Sequence, residues 1–184
     1  MENELLKLQN GSDVRGVAIA TPGGDPITLT LSAVNRIAQA FVARCERKYD
    51  KPAAQLKIAV GMDTRISGKE IMSAFMDGLL CSGAHGIDCG IATTPAMFMS
   101  LVFEETAYDA SVMITASHLP PNRNGIKFFD KDGGYDKSDI TKLLNAAAEL
   151  EDAFPDEAQA KNYECFELVE RYARDLCEKI KKEV

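Results

Sequence analysis

The stretch Thr115-Ala-Ser-His-Leu-Pro-Pro-Asn-Arg-Asn-Gly-Ile-Lys127 is dense in groups that can hold an anion. It carries the hydroxyls of Thr115 and Ser117, the His118 imidazole, two Asn amides, Arg123 and Lys127. Ser117 is the candidate nucleophile. A serine hydroxyl is weak at neutral pH and needs a neighbouring base or cation. His118 is either that base or a loop histidine bonded to backbone. Lys127 is either a neutralising charge or a solvated strand-edge lysine. Two prolines restrict the loop, which lowers the entropy lost when it orders around a ligand. Phosphoryl transfer suits such a loop, because there the protein mainly positions groups and neutralises phosphoryl oxygens. Composition alone leaves a plain solvated connection equally open.

Two D-x-R pairs add cations, Asp13-Val-Arg15 and Asp63-Thr-Arg65. Each arginine is either a local ion pair, worth little if exposed, or a bidentate phosphate clamp.

The elements that must position these groups read as alternating strands and helices. Residues 31–48 have an apolar stripe of helical period, from Val34 to Cys45. Lys57–Gly61 is a strand. Ser67 and Glu70 have capping-box spacing and open a helix, with Ile71, Ala74, Phe75 and Leu79 inward. Ile87–Ala92 is a second strand. Thr93-Thr94-Pro95 starts a helix carrying Met97, Phe98, Leu101 and Val102, with Pro where a missing N–H costs nothing. Ala110–Ile114 is a third strand, placing the Ser117 loop at a strand's C-terminal end, where open α/β sheets bind ligands. Ile126–Phe129 returns, Asp132-Gly-Gly134 turns, and Ile140, Leu143, Leu144 and Ala147 mark another helix. A first strand is expected over Val17–Ala20. The pattern implies an α/β fold with a mixed, mostly parallel sheet flanked by helices. Beyond a polar linker at residues 151–157, Phe166 to Ile180 form a long amphipathic C-terminal helix.

With 184 residues the chain can bury one substantial core. A net charge of −7 argues against nucleic acid as partner. No apolar run reaches the ~20 residues of a membrane helix, and the N-terminus lacks a signal pattern, so a cytoplasmic location is expected. Five cysteines, an odd number without a C-x-x-C pair, read as buried reduced thiols.

In order along the chain, Gly11-Ser-Asp-Val-Arg-Gly16, Gly61-Met-Asp-Thr-Arg-Ile-Ser-Gly68, Thr93-Thr-Pro-Ala96 and Thr115-Ala-Ser-His-Leu-Pro120 with Asn124-Gly-Ile-Lys127 resemble motifs of the first domain of the α-D-phosphohexomutases. The resemblance implies that Ser117 is the phosphorylated serine and one ligand of a Mg²⁺ ion. It implies that His118 and Lys127 assist proton transfer and charge neutralisation, and that Arg15 is an active-site arginine. Asp63 and Arg65 match a segment read as mainly structural. The implied reaction passes phosphate from the serine to a hexose monophosphate and takes the other phosphate back from the bisphosphate. Leu119 stands where the commonest family loop has Asn, which points away from a phosphoglucosamine mutase. The family's D-x-D-x-D-R magnesium loop and its sugar- and distal-phosphate-reading segments have no counterpart here. The expected organisation is therefore domain I over residues 1–155, with 156–184 starting domain II. The expected partners are a hexose phosphate and the remaining domains of the same polypeptide, and the piece alone is expected to be inactive. The alternative is a non-catalytic phosphate-binding or regulatory module.

Overall fold

The computed structural model describes residues 3–183. Its sheet has the order β1-β2-β6-β5-β3-β4-β8, with β7 paired to β6. These strands are β1 (Gln9–Asn10), β2 (Asp13–Val17), β3 (Lys57–Met62), β4 (His85–Ile91), β5 (Ala110–Ile114), β6 (Arg123–Asp130), β7 (Gly133–Gly134) and β8 (Tyr163–Cys165). Strands β5, β3, β4 and β8 run parallel. Strands β1, β2, β6 and β7 join antiparallel on the other side. The antiparallel share is larger than the alternation of elements suggests, because the β5–β6 return extends into a full strand and recruits the N-terminal segment.

Helices α1 (Leu31–Tyr49), α2 (Gly68–Cys81), α3 (Thr94–Met99), α4 (Lys137–Ala148) and α5 (Leu168–Glu183) cover both faces. Strand residues alternate between the two. Ile58 and Val60 face one cluster with Phe41 of α1, Phe75 of α2 and Leu143 of α4. Ala59, Ile87 and Met113 face the other, with Met97 of α3 and Leu168 of α5. The larger cluster centres on Phe41, whose ring lies 5.0 Å from Phe128 and 5.7 Å from Tyr135. Gly78 lets α2 approach α1 closely. A Cβ there would sit 2.3 Å from the Asn35 carbonyl oxygen.

Three expectations change. The first long strand lies over Asp13–Val17 rather than Val17–Ala20. The chain leaves the sheet after Val17, whose N–H donates to Thr28 Oγ1 at 2.9 Å. Ser67 stands at the N-cap of α2, but its side chain makes no capping bond. Its Oγ instead accepts from buried Asn124 at 3.0 Å, which is the stronger demand because an unpaired buried amide is costly. Helix α3 ends at Met99, so Leu101 is buried in a turn and Val102 is exposed. Thr93 does cap α3, accepting from the Ala96 N–H.

Residues 151–153 are held against α1. Asn35 donates to the Ala153 carbonyl at 2.8 Å and accepts from its N–H at 3.1 Å. The chain then adds β8 beside β4, and α5 reaches α3.

Candidate active site

All four sequence motifs converge on one edge of the sheet. The segments after β3, β4 and β5 emerge at the C-terminal ends of parallel strands. β2, antiparallel to β6 as β5 is, ends on the same side. The Ala18 and Ile19 N–H groups donate to the Asn122 carbonyl at 2.8 and 3.1 Å, tying β2's exit to the Ser117 loop.

Ser117 is exposed at the tip of the β5–β6 loop, with φ +53°. That left-handed conformation is uncommon for a residue with a side chain and costs roughly 1–2 kcal/mol. Strain of this kind persists where surrounding contacts over-determine it, and it gathers at functional sites. Contacts of that kind surround Ser117. Its N–H donates to Thr115 Oγ1 at 3.0 Å, and the Leu119 N–H donates to the Ala116 carbonyl at 3.0 Å. Neighbouring His118 is exposed and makes no hydrogen bond or ion pair among the described residues.

Arg15 and Lys127 come together through Asp13. The Asp13 carboxylate accepts from Arg15 at 2.8 Å and from Lys127 at 2.6 Å. All three side chains are mostly buried, with 14, 23 and 10% exposure for Arg15, Lys127 and Asp13. Strand register explains the grouping. Arg15 pairs with Gly125 across β2–β6, and the next same-face positions bring Asp13 and Lys127 opposite. Gly125 has no side chain, so the Arg15 stem lies across it. A Cβ there would meet the Val14 carbonyl oxygen at 2.5 Å and Arg15 Cγ at 2.9 Å. The Asp13–Arg15 pair is therefore the local ion pair that the sequence left open, with Lys127 as a third member that only the β2–β6 pairing supplies.

Arg65 is not available for a phosphate. Its terminal nitrogens donate to four backbone carbonyls of the Ser117 loop, and Nε faces Asp63 at 3.4 Å. The structural reading of this segment holds, and the clamp alternative does not.

A family model for phosphoglucomutase/phosphomannomutase, alpha/beta/alpha domain I, matches residues 6–154. The chain belongs to this family. Among curated relatives, the phosphoglucosamine mutase of Clostridium tetani is 52% identical over 43% of the chain and 17% of its own length. That of Pediococcus pentosaceus is 49% identical over 54% of the chain and 22% of its own. That of Shouchella clausii is 35% identical over 68% and 28%. The chain thus spans less than a third of the relatives it matches. A solved phosphoglucomutase/phosphomannomutase family protein from Burkholderia thailandensis superposes with a TM-score of 0.70 at 24% identity, covering 94% of this chain and 35% of that one, and shows the fold. These curated relatives carry the name that the Leu119 reading points away from.

Phosphohexomutases use Mg²⁺. Among the described residues, no three His, Cys, Asp or Glu side chains converge as a metal site. Asp13 is already shared by two cations. Hard cations need several fixed oxygen ligands, so the residues present do not fit an Mg²⁺ centre on their own. Ser117 Oγ, or a phosphate on it, would be a single ligand.

Proposed function

We propose that this chain is the phosphoserine-bearing domain I of a cytoplasmic phosphohexomutase, which interconverts hexose 1-phosphate and 6-phosphate. Residues 1–155 carry all the motifs of the domain, and 156–184, whose β8 joins the same sheet and whose Leu168 joins its core, lead on into the next. The observation that carries the reading is the exposed, left-handed Ser117 on a loop fixed beside the Arg15–Asp13–Lys127 cluster, in a chain of this family.

In the proposed reaction, a hydroxyl oxygen of the sugar phosphate bonds to phosphorus as the bond from phosphorus to Ser117 Oγ breaks. The hydroxyl proton passes to a base, for which unpaired His118 is the candidate. Lys127 and Arg15 neutralise the phosphoryl oxygens, the main protein contribution to such a transfer. The bisphosphate then turns over and returns its other phosphate to Ser117 by the reverse step. Sugar recognition and the carboxylates for Mg²⁺ belong to the remaining domains of the same polypeptide, so this chain alone is inactive.

The test is intact-mass analysis of the full-length protein treated with glucose 1,6-bisphosphate. One phosphoryl group should map to Ser117 and be absent from Ser117→Ala, whose turnover should fall by roughly 10³-fold or more. A full-length protein that cycles phosphate without modifying Ser117 refutes the reading.

A further inference from the structure

We infer that Arg65 is the positioning residue of the phosphoserine loop. It holds Ser117 in its left-handed conformation and so governs the transfer step rather than substrate binding. This rests on the reading of Ser117 as the phosphoryl carrier.

The loop's own bonds, from the N–H groups of Ser117, Leu119 and Arg123, hold it only in part. Pro120 and Pro121 have no N–H, so they donate nothing to a turn of their own. Four loop carbonyls turn to one side chain, and of these Pro120 O also accepts from the Arg123 N–H. Arg65 donates through one terminal nitrogen to Ser117 O and Leu119 O, both at 2.8 Å. Through the other it donates to Pro120 O at 2.9 Å and Arg123 O at 3.0 Å. These bonds span the loop from its tip to the first residue of β6. A guanidinium has five N–H donors in a rigid fork, and here four are spent on the loop while the fifth faces Asp63.

Arg65 is itself anchored. Its side chain is 12% exposed. The Asp63 carboxylate accepts from the Arg65 N–H at 3.0 Å, and the Asp63 N–H donates to the Ile114 carbonyl at 3.0 Å. The clamp is thus bolted to the end of β5, the strand from which the loop departs.

The grip also orients a donor. In a trans peptide, C=O and N–H point in opposite directions, and no cis bond occurs among the described residues. With Ser117 O turned to Arg65, the His118 N–H points away from it. That N–H makes no hydrogen bond among the described residues. It is the backbone donor placed to meet a phosphoryl oxygen on the preceding side chain. Lysine cannot substitute, since one ammonium does not span four separated carbonyls.

In the full-length mutase, Arg65→Lys and Arg65→Ala should lower kcat about 100-fold per phosphorylated Ser117, counted by intact mass, because a small misplacement of a reacting group costs that much. KM for the hexose phosphate should stay within about twofold. Free guanidinium ion should restore part of the Arg65→Ala loss, which a merely destabilised fold would not show. Unchanged kcat, or a raised KM with kcat retained, overturns the inference. An arm independent of activity uses hydrogen exchange on the 184-residue chain. The bonded amides of Ser117 and Leu119 should exchange faster in Arg65→Lys, and unchanged exchange there also overturns it. If Ser117 never takes phosphate, the functional reading fails while the exchange arm still decides whether Arg65 is the clamp.

Discussion

Single residues divide here into candidates for the proposed chemistry and those that hold them. Ser117, His118, Lys127 and Arg15 were legible as types in a cationic pattern. Asp13 was legible only as half of a local pair, because sequence spacing cannot show that a residue more than a hundred positions away shares its carboxylate. Asp13 is the counter-ion of both cations, with 10% of its side chain exposed. Asp13→Asn leaves Arg15 and Lys127 side by side without it. Removing one partner of a largely buried charged hydrogen bond costs about 1–3 kcal/mol or more, so the urea midpoint of Asp13→Asn should fall accordingly. An unchanged midpoint would mean that the two cations repartner at no cost.

At the scale of elements, the strand pairings assemble the site. The expectation of a strand over Val17–Ala20 followed apolar character, whereas β2 carries Asp13, Arg15 and Gly16 and does not read as a strand by itself. Its pairing with β6 decides the matter, burying both faces apart from the partly exposed Arg15. Gly125 is the hinge of that pairing. Gly125→Ala would press a methyl group onto the Val14 and Thr115 carbonyl oxygens, at 2.5 and 3.0 Å. Overpacking of this kind costs about 1–3 kcal/mol. Chemical denaturation should show that loss, and under the proposed function the displaced Arg15 stem should also reduce turnover in the full-length protein. The Ser67 capping box failed for a related reason. Spacing predicted a local bond, but Asn124, far along the chain and wholly buried, needed the same oxygen.

The whole molecule is a three-layer unit whose two apolar clusters lie on opposite faces of one sheet. Its five cysteines are free, as the odd count and absent C-x-x-C suggested. The expectation that they are buried fails for exposed Cys165 and Cys177 and half-buried Cys81, because burial follows from tertiary packing rather than residue type. Cys45 and Cys89 are buried, and burial pushes both thiols up to about 12 from 9.0. In the unfolded chain they ionise near pH 9, while the folded chain keeps them protonated. The unfolded state therefore releases more protons above pH 9, and stability present below that pH is lost as pH rises toward 12. Denaturation midpoints should drop across pH 9–12, and drop less in Cys45→Ala once its own packing loss at pH 7 is subtracted. A thiol reagent at neutral pH should modify exposed Cys165 and Cys177 first, with Cys45 and Cys89 reacting only on unfolding. Rapid labelling of all five in the folded protein would contradict the burial assignment.

The sequence by itself determined not β1, β2 or β8 but the alternation of strands and helices from α1 to α4, the family and the chemical character of the Ser117 loop. Those depend on local periodicity and on short motifs whose residues are neighbours in the chain. Tertiary structure alone decided that Arg15 and Lys127 share Asp13, that Arg65 spends its donors on loop carbonyls, and that residues 151–153 are strapped to α1. Each of these joins segments distant in sequence. Strand register and the need to pair buried polar groups select such partners, and neither leaves a periodic signature in the chain.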